Sequence, residues 1–336
     1  VVINLEGKPV GVMQVANKLG TEGFLESEEE ALSSLSMFAG ITLANMRLYN
    51  FVVDANKKAT DLLKMQQGEK PTDETKLAPL DEALVQRTWA LTVDDPTRKT
   101  ARTLDFNVFN YKDTPHNSDE QLLLVKVIVF FFEDLGLVST LGMDCEILTR
   151  FIVRARSMYR NVAYHNFSHA FDVTHMVYYI IKHLDPVMKF DIVEKLALMT
   201  ASIVHDVDHM GLNNSFHLKC DTPMGILSSS AGIESVLEIH HCKLAIEILS
   251  IPDHNVFHVL SEEESTRAYK LLVDIILATD MAHHGNLSKE FASAVENLQE
   301  GEVPPKLLTI KMIMKSSDLS NIVRPFHLSQ RWAASV

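Results

Sequence analysis

Cysteine is scarce: Cys145, Cys220 and Cys242 are the only three in 336 residues, far apart and without a CxxC pair. That scarcity excludes a disulfide framework and thiolate zinc, and it fits a reducing, cytoplasmic setting. Long apolar runs are lacking too. The longest, Leu122 to Phe132, is interrupted by Lys126 and is too short to span a bilayer, so no membrane span is expected. The chain opens on Val with no charged segment ahead of an apolar one, which reads as a fragment without a signal peptide. Runs of Lys and Arg are absent and the formal net charge is −13, which argues against nucleic acid as a partner. An anionic substrate would need a local counter-charge, and bound metal ions would supply one. With 46% hydrophobic residues, the chain can bury at least one full core and is long enough for more than one domain.

The first 20 residues read as extended structure, with Val10, Val12 and Val15 set around Gly11 and Gln14. Ser27 and Glu30 have the capping-box form, and Leu32, Leu35, Ala39, Leu43, Met46 and Val53 recur at helical steps toward Leu62 and Leu63. This long stripe suits either core packing or a dimer-forming connector. Gln66 to Pro79 is polar and turn-rich, a linker, so a second domain is expected to begin near Leu80. From Asn117 onward the pattern is mainly α. Apolar helical stretches fall at Gln121 to Leu135, Glu146 to Tyr159, Thr174 to Leu184, Ile192 to Val204, Ser235 to Leu249, Thr266 to Thr279 and Leu307 to Ser316.

Three segments carry ligand-type side chains: YHNFSHAFDVTH from Tyr164, HDVDHMG from His205, and KSSDLSN from Lys315. If Asn166 begins a helix, His169 and Asp172 share a face and His165 stands just ahead of the cap, so that one histidine can ligate and the other can face substrate. HDVDH closes a long apolar helix. Burying its two carboxylates and two imidazoles unpaired would cost several kcal/mol, and metal coordination would satisfy them together. Imidazole and carboxylate without thiolate suit catalytic zinc, with magnesium or manganese alongside. Asp206, with two oxygens, can bridge two ions about 3.5–4 Å apart that share a hydroxide nucleophile and polarise a phosphoryl oxygen. Hydrolysis of a phosphate ester is the leading chemistry.

Together with SVLEIHH and ATDMAHH, these segments stand in the order and approximate spacing of the class I cyclic nucleotide phosphodiesterases, which the sequence resembles from about Phe106 to Val336. The resemblance implies an all-helical, HD-type catalytic domain that hydrolyses a 3′,5′-cyclic nucleotide to the 5′-monophosphate. It implies zinc ligands at His169, His205, Asp206 and Asp318, a second ion on Asp206, and His165 as the proton donor to the leaving 3′ oxygen. His209, Glu238 and Asp280 would hold the waters and wall of the magnesium side, with Tyr164, Met281 and Asn321 toward substrate. Asp172, His175, His240 and His241 would hold neighbouring groups in place. Two other readings share parts of this pattern: a broader HD-type phosphohydrolase, and a non-catalytic cyclic-nucleotide sensor.

Asn17, Lys18, Phe24, Glu28 and Glu29 are similar to the end of a GAF domain, a small-molecule-binding module. The implied layout is the end of a GAF domain over 1–50, a helical connector and linker over 51–79, and the catalytic domain over 80–336. Cyclic nucleotide would bind an upstream GAF domain of the parent, which would be a homodimer. The segment from Asp221 to Leu249 looks most like GAF-containing enzymes of kinetoplastid protozoa, and cAMP is the favoured substrate on that likeness alone. Met210, Ile239 and Ile322 depart from the family's commoner proline, asparagine and proline. The chain stops at WAASV, before the segment expected to read the purine.

Overall fold

The computed structural model describes residues 2–3, 9–11, 77 and 79–335 apart from 113, 115 and 116. The extended reading of the first 20 residues meets two short antiparallel strands, β1 (Val2–Ile3) and β2 (Pro9–Gly11), with Val2 opposite Gly11. The Ser27 capping box, the stripe from Leu32 to Leu63 and the boundary at residue 50 lie outside the described residues, as does most of the linker. Helices run in the order α1 (Glu82–Ala90), α2 (Asp95–Ala101), α3 (Phe109–Lys112), α4 (Asp119–Asp134), α5 (Leu137–Leu141), α6 (Cys145–Met158), α7 (Phe167–Met188), α8 (Ile192–Val204), α9 (Asn214–Lys219), α10 (Pro223–Ser230), α11 (Val236–Leu249), α12 (Glu262–Leu277), α13 (His284–Glu296), α14 (Lys306–Asp318) and α15 (Phe326–Ala333). Short 3-10 turns fall at Pro252–His254, Met281–His283 and Ser320–Val323. The chain divides into two compact units, Val1–Pro71 with Asn213–Val236 and Thr72–Leu212 with Leu237–Val336. No described helix is long and apolar enough to cross a membrane.

Local chemistry starts these helices where they start. Ser118 caps α4, Asn166 caps α7, and Asp191 with Glu194 and Ser261 with Glu264 form capping boxes at α8 and α12. α8 is mostly apolar and is buried at every position from Leu196 to Val204. It packs against α7 and α12, and α14 lies on α7. The end of α8 therefore opens into the interior, where His205 and Asp206 follow. In the smaller unit, α9 and α10 meet at Gly225, where any Cβ would overlap the carbonyl oxygen of His217.

Aromatic rings fill the space between α4 and α7: Phe131 stacks on Tyr178 with centroids 4.3 Å apart, and on His175 at 5.6 Å. At the end of α4, the Asp134 carboxylate accepts from Tyr178 Oη at 2.5 Å, Lys182 Nζ at 2.6 Å and Arg102 at 2.7 Å. Burial disfavours its charge, but the three donors outweigh that and hold its pKa well below the carboxylate range. The stability it contributes is complete above an unfolded carboxyl pKa of about 3.9 and is lost as pH falls toward its own lowered value. Asp134→Asn should accordingly lower stability at pH 7 and flatten the acid side of a urea-midpoint profile. A parallel downward shift at every pH would contradict this.

Candidate metal centre

The Asn166 side chain accepts from the backbone N–H of Ser168 and His169, which fixes the first turn of α7 and turns His169 inward. Its Nε2 lies 3.1 Å from Asp318 Oδ1, at the end of α14, and 3.4 Å from Asp206 Oδ2. His205 Nε2 lies 3.3 Å from Asp206 Oδ2 and 3.4 Å from Asp318 Oδ1. Four atoms from three helix ends thus converge, all within 4.8 Å of one another. The residues are nearly closed to solvent, with His169 at 2%, His205 at 0% and Asp206 at 8% exposure.

The arrangement fits a metal ion on four grounds. His205 Nε2 and Asp206 Oδ2 are buried without a hydrogen-bond partner, although each is close to the other set. The His205 Nδ1–H donates to the Ser202 carbonyl at 2.9 Å, so the Nε2 lone pair is left facing the carboxylates. Ligands held about 2.0–2.1 Å from one ion would be separated by roughly 3.0–3.4 Å, which matches these spacings. The donor set is two imidazoles and two carboxylates with no thiolate.

Burial opposes charge on His205, but the Asp206 and Asp318 carboxylates more than reverse it and raise its pKa well above the imidazole range. Asp206, also penalised by burial, is held well below the carboxylate range by His205 and His169. An entering cation must displace a proton from His205, so affinity should rise with pH and binding should release protons. Zinc titration calorimetry in two buffers of different ionisation enthalpy reads this directly; identical heats would refute it.

The other oxygen of Asp206 faces elsewhere. Oδ1 lies 3.8 Å from His241 Nε2, and Asp206, His209 and His241 form a second ligand-type group. His241 Nδ1–H donates to the Val207 carbonyl at 2.8 Å, leaving Nε2 as a lone pair toward Asp206. His209 has the opposite tautomer: the Gly211 N–H donates to its Nδ1 at 3.0 Å, so in the neutral ring the proton sits on Nε2. Burial holds both neutral, pushing His209 down to about 4 and His241 to about 3. His209 is therefore a donor toward the centre and His241 an acceptor. The sequence placed His241 only among groups that hold neighbours, because nothing local reports which ring nitrogen is free.

His165 is half-buried beside this edge, stacked on His209 with centroids 3.9 Å apart. Burial pushes its pKa below the ordinary value, with Asp206 acting in the other direction. The Asn321 amide donates to Tyr164 Oη at 2.7 Å, so two residues expected on the substrate side bind each other. Met281 is 57% exposed, while Glu238 and Asp280 are buried. Asp280 caps the 3-10 turn by accepting from the Ala282 N–H.

One expectation is corrected. Metal does not satisfy both carboxylates of HDVDH together, since Asp206 belongs to the ligand-type groups and Asp208 does not. Its backbone is left-handed, φ 64°, and its carboxylate accepts from Arg160 Nε at 2.6 Å and pairs with His240 Nε2 at 2.8 Å. Asp172, expected to hold a neighbouring group in place, accepts from Arg324 Nη2 at 2.7 Å, and the same nitrogen approaches His175 Nδ1 at 3.2 Å. Lys315, given no role from sequence, is 1% exposed and donates to the Thr279 and Asp280 carbonyls at 2.7 and 2.8 Å. It ties the Asp280 turn to the helix that ends at Asp318. A lysine inside the apolar stretch 307–316 was the available signal.

A buried helical framework thus brings imidazole and carboxylate ends together in a group that could hold a metal ion. The family model for 3′5′-cyclic nucleotide phosphodiesterase matches residues 164–336. The chain belongs to the 3′5′-cyclic nucleotide phosphodiesterase family. Dual 3′,5′-cyclic-AMP and -GMP phosphodiesterase 11 of Drosophila melanogaster is 31% identical over 332 residues, 98% of this chain and 22% of the relative. The 3′,5′-cyclic-nucleotide phosphodiesterase regA of Dictyostelium discoideum is 30% identical over 248 residues, 73% of this chain and 30% of the relative. The chain therefore spans less than a third of the length of either relative. Among solved structures, LmjPDEB1 in complex with IBMX superposes with a TM-score of 0.69 at 34% identity, covering 77% of both chains. The phosphodiesterase domain of the Salpingoeca rosetta rhodopsin phosphodiesterase gives 0.63 at 27% identity, over 74% of this chain and 73% of that one.

Proposed function

We propose that the chain hydrolyses a 3′,5′-cyclic nucleotide to the nucleoside 5′-monophosphate. The observation that carries this is the convergence of His169, His205, Asp206 and Asp318 beside His165, within a phosphodiesterase family match. Those four residues would hold zinc, and the second oxygen of Asp206 would reach a magnesium or manganese ion. Bound there, the ions supply Lewis acidity to water and to the phosphoryl oxygens. His209 orients water through its Nε2 proton, with Glu238 and Asp280 on the same side. Water adds to phosphorus and sheds one proton, the bond from phosphorus to the 3′ oxygen breaks, His165 delivers a proton to that oxygen, and the proton shed by water restores His165 for the next turnover. Tyr164, Asn321 and Met281 stand toward the nucleotide.

The relatives' names include both cyclic AMP and cyclic GMP; cAMP is our favoured substrate. The test is release of 5′-AMP and 5′-GMP from the two cyclic nucleotides by the full-length protein with magnesium. A folded, metal-loaded protein that releases neither would move the reading to a cyclic-nucleotide sensor.

For the parent protein we infer the end of a GAF domain over 1–50, a connector over 51–79 and the catalytic domain over 80–336, with a cyclic nucleotide at an upstream GAF domain. The reading rests on the likeness of Asn17, Lys18, Phe24, Glu28 and Glu29 to the end of a GAF domain. A homodimer joined through the helical stripe follows, and kinship with kinetoplastid enzymes rests on the 221–249 segment. Sedimentation of a monomer at micromolar concentration would count against the dimer.

A further inference from the structure

Beside the metal centre lies a cavity of about 420 Å³ that none of the four cluster residues lines. Lys112, Arg156 and Arg160 open onto it, with Asn161, Asn166 and Ser168 adding polar groups. The described lining contains three cations and no carboxylate. Tyr159, Leu124 and Phe167 give it an apolar and aromatic side.

Arg156 is the unusual member. It is 7% exposed, yet its Nη1 donates to Asn117 Oδ1 at 2.7 Å and its Nη2 to Gln121 Oε1 at 3.0 Å, both neutral acceptors. Asn117 reaches it from a left-handed backbone, φ 59°. Buried guanidinium groups are ordinarily matched by a carboxylate or phosphate, because desolvating the charge is expensive. The buried Arg324 shows that ordinary pairing elsewhere in the same unit, with the Asp172 carboxylate at 2.7 Å. The positive end of the 22-residue helix α7 begins at the same wall.

We propose that this cavity binds a small phosphate ester of nucleoside-monophosphate size, its phosphate on Arg156 with Lys112 and Arg160, and its organic part against Phe167, Tyr159 and Leu124. The volume lies in the range of small-molecule sites, and a planar guanidinium is suited to bidentate phosphate contact. Occupancy reaches the catalytic side through two direct links. Arg160 holds Asp208, which holds His240, and the Tyr159 hydroxyl donates to the Ile203 carbonyl while accepting from the Asp206 N–H. Binding itself stands on the cavity and Arg156; only its effect on turnover rests on the proposed phosphodiesterase reaction.

The test separates the two. Inorganic phosphate and 5′-AMP are titrated by calorimetry into the full-length protein and into Asp318→Asn with a chelator present, which silences the metal centre. Both ligands are expected to bind both proteins, 5′-AMP more tightly, and Arg156→Gln should weaken binding at least tenfold. If Arg156→Gln fails to fold, the double variant Lys112→Gln/Arg160→Gln should show the same loss. Binding that disappears in chelated Asp318→Asn belongs to the catalytic centre and overturns the proposal. So does binding unchanged in the cavity variants, absence of binding to the wild type at about 10 mM, or equal affinity for the two ligands.

Discussion

Asp206→Ala is expected to lower 5′-nucleotide release by roughly 10³-fold or more and to strip the protein of bound metal. Among the described residues, Asp206 is the side chain shared by both ligand-type groups. Oδ2 faces His169 and His205 at 3.4 and 3.3 Å, and Oδ1 faces His241 at 3.8 Å. Removing the carboxylate takes a ligand from both groups at once and leaves the His205 charge with Asp318 alone. Elemental analysis beside an activity assay reads both effects, with circular dichroism as the check on folding. A folded Asp206→Ala protein that keeps its metal and turns over cyclic nucleotide would defeat the two-ion reading.

His165→Asn should leave metal content intact and lower kcat by roughly 10²–10⁴-fold, the ordinary contribution of a positioned general acid. The stacked His165–His209 pair lies outside the four-residue cluster, so this loss is one of proton delivery. Two signatures distinguish it from a structural effect. The burial that pushes His165 down acts in the free enzyme, whereas an anionic phosphate beside the ring favours the imidazolium and raises its pKa. A proton donor is active below its pKa, so the alkaline limb should fall at lower pH in kcat/KM than in kcat, and both limbs should vanish in His165→Asn. A 4-nitrophenyl phosphodiester, whose leaving group departs without a proton, should lose far less in the variant than a cyclic nucleotide does. Equal losses on both substrates would mean that His165 has another role.

Much of the framework was legible because its signals are local. The stripe over Ile192 to Val204 is a helix with those same bounds, begun by the Asp191 and Glu194 capping box. Asn166 starts α7 as its position before an apolar run suggests. The stretches from Gln121, Glu146 and Leu307 are each helical to within a few residues of the expected ends. Helices without a periodic apolar stripe were missed, among them α2, α9 and α10, whose caps lie in short polar segments.

The choice of donors was also a property of sequence: imidazole and carboxylate without thiolate, at the buried end of an apolar helix. The sequence by itself determined which side chains could meet a metal, since helical spacing and caps set where each one leaves its own element. Only the tertiary structure decided which of them do. Asp206 and Asp208 are two residues apart and chemically identical, yet one joins His169 and Asp318 while a left-handed residue turns the other to Arg160 and His240. The tautomers of His205, His209 and His241 were likewise set by the Ser202 carbonyl, the Gly211 N–H and the Val207 carbonyl. Lys315 gained its part from carbonyls 35 and 36 residues away. A turn leaves the direction of a carboxylate open, and the partners that fix it come from segments that only folding brings together.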